Sequence, residues 1–118
     1  MSSTPMIHLL ERFLDVTADR QKLVTTNLAN IDTPGYKTED LNFRAELEKA
    51  SVSEQGVELS TVAHRVPGLL QRPDGNDVSL DRESMLLAET QMQFKIGIQF
   101  LRTEFHRILH AINEGKDS

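Results

Sequence analysis

Apolar residues recur in steps of three and four through two long stretches of this chain. In the first, Ile7, Leu10, Leu14, Thr17, Gln21, Val24, Leu28 and Ile31 fall on one line. That is heptad spacing with two polar members in its middle, and it predicts a helix over residues 5–31. Thr4 precedes it as a cap, and Pro5 takes the first helical position, where a missing N–H costs nothing. The stop is Asp32-Thr33-Pro34-Gly35. Pro34 pushes Thr33 out of helical geometry and Gly35 permits a positive φ. In the second stretch the line runs through Leu80, Ser84, Leu87, Gln91, Phe94, Ile98, Leu101, Phe105, Ile108 and Ile112, predicting a helix over residues 80–113. Asp77 or Ser79 caps it, Asp81 and Glu83 complement its dipole, and Gly115 is the stop. At 1.5 Å rise per residue the two helices are roughly 40 and 50 Å long.

The middle has another texture. Residues 43–50 read as a short helix, and residues 57–62 alternate weakly, like a short strand. Pro67-Gly68 and Pro73-Asp74-Gly75-Asn76 are turn signals. The chain therefore divides into an N-terminal helix and bend (1–35), an irregular connector (36–78) and a C-terminal helix (79–118), together one structural domain. The fold class is mostly α: two long terminal helices paired as a coiled-coil hairpin, with a short β element in the connector.

Composition sharpens this picture. Of 118 residues only 38% are hydrophobic and 5% aromatic, and there is no Trp. Leu9, Phe13 and Leu23 lie off the first seam, and Leu86, Met92 and Ile96 off the second. A two-helix hairpin leaves such flanks wet, so burying both stripes calls for helices from other subunits. Met85 and Met92 fit such interfaces. The net charge of −5 disfavours a general nucleic-acid binder, which needs a basic face. With no Cys, disulfides and thiol chemistry are excluded, which suits a chain that crosses an oxidising space. No run approaches the roughly 18 apolar residues of a membrane span. The N-terminus lacks the basic region of a cleaved signal peptide, so exit from the cytoplasm would need another route.

Candidate chemistry is sparse. His106 and His110 share a helix face but have no acid in metalloprotease spacing, and they read as polar residues on a solvated face. Asp74-Gly75-Asn76-Asp77 fails the calcium-loop pattern, with Val78 at a ligand position and Gly75 too early, and reads as a turn into a helix cap. Neither a nucleophile elbow nor a phosphate-cradling glycine loop is present. The expectation is no enzyme activity, no cofactor, no metal and no small-molecule substrate.

One segment is chemically odd for a helix end: Asn27-Leu28-Ala29-Asn30-Ile31-Asp32-Thr33-Pro34-Gly35-Tyr36-Lys37. Two Asn within one turn, close to an apolar seam, point to side-chain amides committed to particular backbone partners. Asn27, Asn30, Thr33, Pro34, Gly35, Tyr36 and Lys37 resemble the signature of the flagellar basal-body rod family. Arg20-Gln21-Lys22 before the motif, Glu39-Asp40-Leu41-Asn42-Phe43 after it, and Asp74 to Val78 leading through Leu80-Asp81-Arg82-Glu83 to Leu87-Ala88-Glu89-Thr90 resemble its proximal-rod members.

The resemblance implies a structural subunit whose terminal helices stack into an axial drive shaft, transmitting torque. It implies residence in the basal-body rod on the periplasmic side of the inner membrane, without membrane insertion. It implies export by the flagellar type III apparatus, and contacts with copies of itself, related rod proteins, basal-body rings and the export gate. The expected subunit-interface residues are Leu10, Leu14, Val24, Asn27, Leu28, Asn30, Ile31, Thr33, Pro34, Gly35 and Tyr36, with Leu87, Phe94, Ile98, Leu101, Phe105, Ile108 and Ile112. Within the hairpin, Leu87, Phe94, Ile98, Leu101, Phe105 and Ile108 are expected as knobs facing Leu10, Leu14, Val24 and Leu28. A soluble helical adaptor or export chaperone, or another proximal-rod member, is the alternative.

Overall fold

A computed structural model describes residues 4–52 and 59–117. Helix α1 (Thr4–Ala29) is followed by strand β1 (Glu39–Leu41), helix α2 (Phe43–Val52), strand β2 (Ala63–Arg65) and helix α3 (Leu80–Asp117). The helices run 26 and 38 residues in α1 and α3, so the rods expected from the heptad spacing are present. They pair antiparallel: Asn27 bonds Glu83 at one end of the contact, and Gly97 meets Phe13 and Leu14 further along. The molecule measures 71 × 26 × 18 Å, with a radius of gyration of 18.6 Å. A compact chain of this length would have a radius near 13–14 Å, so the hairpin sets the shape.

The end of α1 and the start of α3 follow local chemistry, whereas α3 runs through the expected stop at Gly115 to Asp117. The last turn of α1 tightens, with the Ile31 N–H donating to the Leu28 carbonyl at 3.2 Å. Gly35 then takes φ +76°, as its place in the turn requires. At the start of α3, Ser79 Oγ accepts the Arg82 N–H at 3.2 Å, which makes Ser79 the cap. Asp77 is committed elsewhere, as described below.

The middle wraps α1. Arg12 is buried and pins α2 there, donating to the Glu46 carbonyl at 3.2 Å and Glu46 Oε2 at 3.0 Å, while its third contact is the Leu59 carbonyl at 3.0 Å. Phe13 meets Phe43 edge-on, with centroids 5.4 Å apart. Strands β1 and β2 pair antiparallel with Glu39 opposite Arg65 and Leu41 opposite Ala63. The strand expected at 57–62 is displaced. Residues 57 and 58 lie outside the described residues, 59–62 are irregular, and the extended segment is 63–65. It forms there because β1 offers its edge at that point, a partner that periodicity cannot see.

The face that α3 turns inward is also shifted. The expected seam included Leu80, Ile98, Phe105 and Ile112, yet all four are exposed, Phe105 by 49%. The buried positions are Glu83, Leu86, Thr90 and Gly97, with Leu87, Phe94, Leu101 and Ile108 at half burial. Three residues that a hydrophobic reading passes over thus hold the inner line. Glu83 can be there because donors await it, and Gly97 because it lets the helices close: a Cβ on it would stand 2.7 Å from Leu14 Cδ2 and 3.1 Å from the Phe13 ring.

Candidate assembly site: the junction of the two motifs

The Asn27–Lys37 segment at the end of α1 and the Asp-Gly-Asn-Asp turn before α3 are some forty residues apart in the chain and interlock in space. Asn27 is the centre, 1% exposed. Its Nδ2 donates to the Glu39 carbonyl at 2.8 Å and to Glu83 Oε1 at 2.6 Å. Its Oδ1 accepts the Tyr36 hydroxyl at 2.8 Å and the Glu39 N–H at 3.2 Å. A side-chain amide has two donors and two acceptor sites, and here all four are used. One residue thereby ties α1, the bend, β1 and α3 together. Asn30 acts locally: its Nδ2 donates to the Thr26 carbonyl at 2.8 Å, and its Oδ1 accepts the Thr33 hydroxyl at 3.0 Å.

The orphan carbonyls at the end of α1 are closed from the other motif. Buried Asn76 donates through Nδ2 to the Asn30 carbonyl at 2.8 Å and the Thr33 carbonyl at 2.9 Å. Arg72 donates to the Ile31 carbonyl, and to the Val78 carbonyl at 3.1 Å. The two glycines cross, with the Gly35 N–H donating to the Asp74 carbonyl at 2.9 Å. Gly75 has φ +89°, and a Cβ on it would lie 3.3 Å from Gly35 Cα. Lys37 Nζ reaches the Gly75 carbonyl at 2.6 Å. Asp77 Oδ1 accepts the Thr38 N–H at 2.7 Å and its hydroxyl at 2.8 Å.

Behind Asn27 runs a chain of charges. Glu83 is fully buried, and its Oε2 accepts from Arg82 at 2.6 Å. Arg82 also donates to Asp40 Oδ2 at 2.6 Å, and Arg20 Nε donates to Asp40 Oδ1 at 3.1 Å. Burial on its own would raise the Asp40 pKa. Hydrogen bonds from Arg20, the Leu41 N–H and Arg82, with the Arg20 charge, outweigh it and hold the carboxyl below the usual range. The Tyr36 hydroxyl is pushed up, first by burial and then by the negative charges of Glu39, Glu83 and Asp77. Such a network rewards one geometry, since each buried charge left unpaired is expensive.

Of the expected interface residues, Val24 and Asn27 are each 1% exposed and are used inside the chain, so they have no surface to offer a neighbour. Leu10, Leu14, Leu28, Asn30, Ile31 and Tyr36 are half-buried, as are Leu87, Phe94, Leu101 and Ile108, while Thr33, Pro34, Gly35, Ile98, Phe105 and Ile112 stand on the surface. Arg72, Asn76, Asp40, Arg82 and Glu83 were not expected as a unit. Their only sequence signal was that three motif-bearing stretches were rich in Asp, Asn and Arg. Among the described residues no three His, Asp or Glu converge as metal ligands. His106 and His110 are exposed, with His110 Nε2 3.1 Å from Glu114.

This is a structural joint built from two sequence motifs, and the first of them falls within a stretch that a family model matches. The family model described as "Flagella basal body rod protein" matches residues 14–37, from mid-α1 through the bend. The chain is 31% identical to the flagellar basal body rod protein FlgB of Salmonella typhimurium, over 86% of this chain and 88% of that one. FlgB of Aeromonas hydrophila is 30% identical over 84% of this chain and 86% of its own length, and FlgB of Borrelia hermsii 30% over 76% and 82%. The chain belongs to the flagellar basal body rod family.

Proposed function

We propose that the chain is a structural subunit of the proximal rod, packing its terminal helices against neighbouring subunits so that the assembled shaft carries torque. The observation that supports this best is the similarity to FlgB proteins, which covers 86% of this chain. The geometry is compatible: a rod-shaped hairpin, a polar joint that fixes one helix register, and apolar residues left on the outer surface. Its partners are copies of itself and related rod proteins, together with the basal-body rings and the export gate. It reaches the rod, on the periplasmic side of the inner membrane, through the flagellar type III apparatus. Thr33, Pro34 and Gly35 at the bend, with Ile98, Phe105 and Ile112 on α3, are the residues of the expected interface most open to a neighbour. No reaction is assigned to it.

Immunoblotting of purified hook–basal bodies tests the reading, before and after loosely bound material is stripped. Retention with the rod fraction is expected. Protein that is absent from the particle and soluble in the cytoplasm overturns it and favours an adaptor or export chaperone.

A further inference from the structure

The outer surface of α3 is apolar along two lines in its distal half. Met92, Ile96 and Phe100 form one, with Met92 62% and Phe100 59% exposed. Ile98, Phe105 and Leu109 form the other. Between them lies a cationic ridge, Lys95 and Arg102. Among the described residues no ion pair engages Lys95 or Arg102, whereas Arg107 is held by Glu104 at 2.6 Å. The outward face of α1 carries the opposite sign. Glu11 and Asp15 are exposed there one turn apart, half-buried Asp19 a turn further on accepts the Thr61 hydroxyl at 2.9 Å, and Arg12 and Arg20 of the same helix turn inward to Glu46 and Asp40. Lys22 closes this acidic row toward the bend. Like charges four apart weaken a helix, so Glu11 and Asp15 gain from cationic side chains placed across from them.

We propose that the occupant of the α3 outer face is α1 of a second copy of this chain, the acidic row of one copy lying on the cationic ridge of the next. The proposal rests on the reading of the chain as an assembling rod subunit and specifies which faces meet. At 100° per residue both rows lie on the far side of their helices from the α1–α3 contact, so each copy shows an acceptor on one side and a donor on the other. Such a contact is heterologous, and it closes into a ring or continues as a helical stack. Gly97 packs on Leu14, so Glu11 and Asp15 stand level with about residues 100 and 96, the stretch of α3 that holds Lys95 and Arg102. The apolar lines flanking the ridge supply burial, and the charges supply direction and register.

The test uses the purified full chain in sedimentation velocity, with circular dichroism to establish that each variant folds. Wild type is expected to associate below about 100 μM. The pair Lys95→Glu and Arg102→Glu, and separately the pair Glu11→Lys and Asp15→Lys, are each expected to weaken self-association by about tenfold or more. Mixing the two variants is expected to restore it, because every contact then joins unlike charges. A wild type that stays monomeric overturns the second copy as occupant. So do reversals without effect, or a mixture that does not recover. If the protein is nevertheless retained in basal bodies, the rod reading stands and a different rod protein covers this face. If it is absent from them, the rod reading itself has failed.

Discussion

Asn27 and Asn30 are alike in composition and unlike in consequence. Asn27 answers four groups on three other segments, and its removal leaves the buried Glu83 carboxylate short of a donor. Asn27→Ala is expected to cost about 3 kcal/mol in urea unfolding, and Asn30→Ala, whose side-chain contacts stay within one turn, under about 1 kcal/mol. The two crossing glycines differ in the same way. Both have positive φ, but a Cβ at Gly35 meets open space and one at Gly75 meets backbone. Gly35→Ala is expected to lose about 1 kcal/mol and Gly75→Ala about 2–3 kcal/mol, measured by the same unfolding curves. Asp40 gives a pH signature. Its folded pKa is depressed, so its contribution is present above the ordinary carboxylate range and fades as pH falls through the folded value. Thermal melts are expected to drop below about pH 4, and Asp40→Asn is expected to flatten that limb while lowering stability at neutral pH.

At the scale of elements, the two long helices and the bend between them were legible because heptad spacing, Pro34 and Gly35 act locally. The inner face of α3 was less so. Periodicity counts apolar residues, and the line that faces α1 holds Glu83, Thr90 and Gly97. A carboxylate is tolerable there only because Asn27 and Arg82 arrive from elsewhere, and a chain read in one dimension does not show that arrival. The joint was legible as two odd motifs but not as one object, since Asn76 and Asn30 meet only through folding. This distinction has a measurable side. Phe94 is half-buried and Phe100 lies outside. Phe94→Ala is expected to destabilise the isolated chain by about 2 kcal/mol and Phe100→Ala by under about 0.5 kcal/mol. Both are expected to impair swimming in soft agar, the first through the fold and the second through assembly. Equal stability losses would mean that the inner face is misassigned.

At the scale of the whole molecule, polar and charged side chains outnumber apolar ones among the fully buried. Among the described residues, Asn27, Thr38, Asn76 and Glu83 lie at the end where α1 turns and α3 begins, while Thr17 and Thr90 sit along the helix pair. The opposite end is different. With Asn27 level with Glu83, Thr4 stands level with about residue 106, and α3 runs on past it for about ten residues, some 15 Å. Among the described residues the hairpin is therefore built like a cantilever, anchored at a hydrogen-bonded root, with α3 extending past the start of α1. Local opening is expected to become easier along its length, away from that root. Amide hydrogen exchange in the free chain is expected to follow that gradient, slowest at residues 83–90 and fastest beyond residue 108. A load applied at the tip would bend the single helix before it strained the root, so the free subunit holds its joint fixed while its far end adapts to whatever it meets.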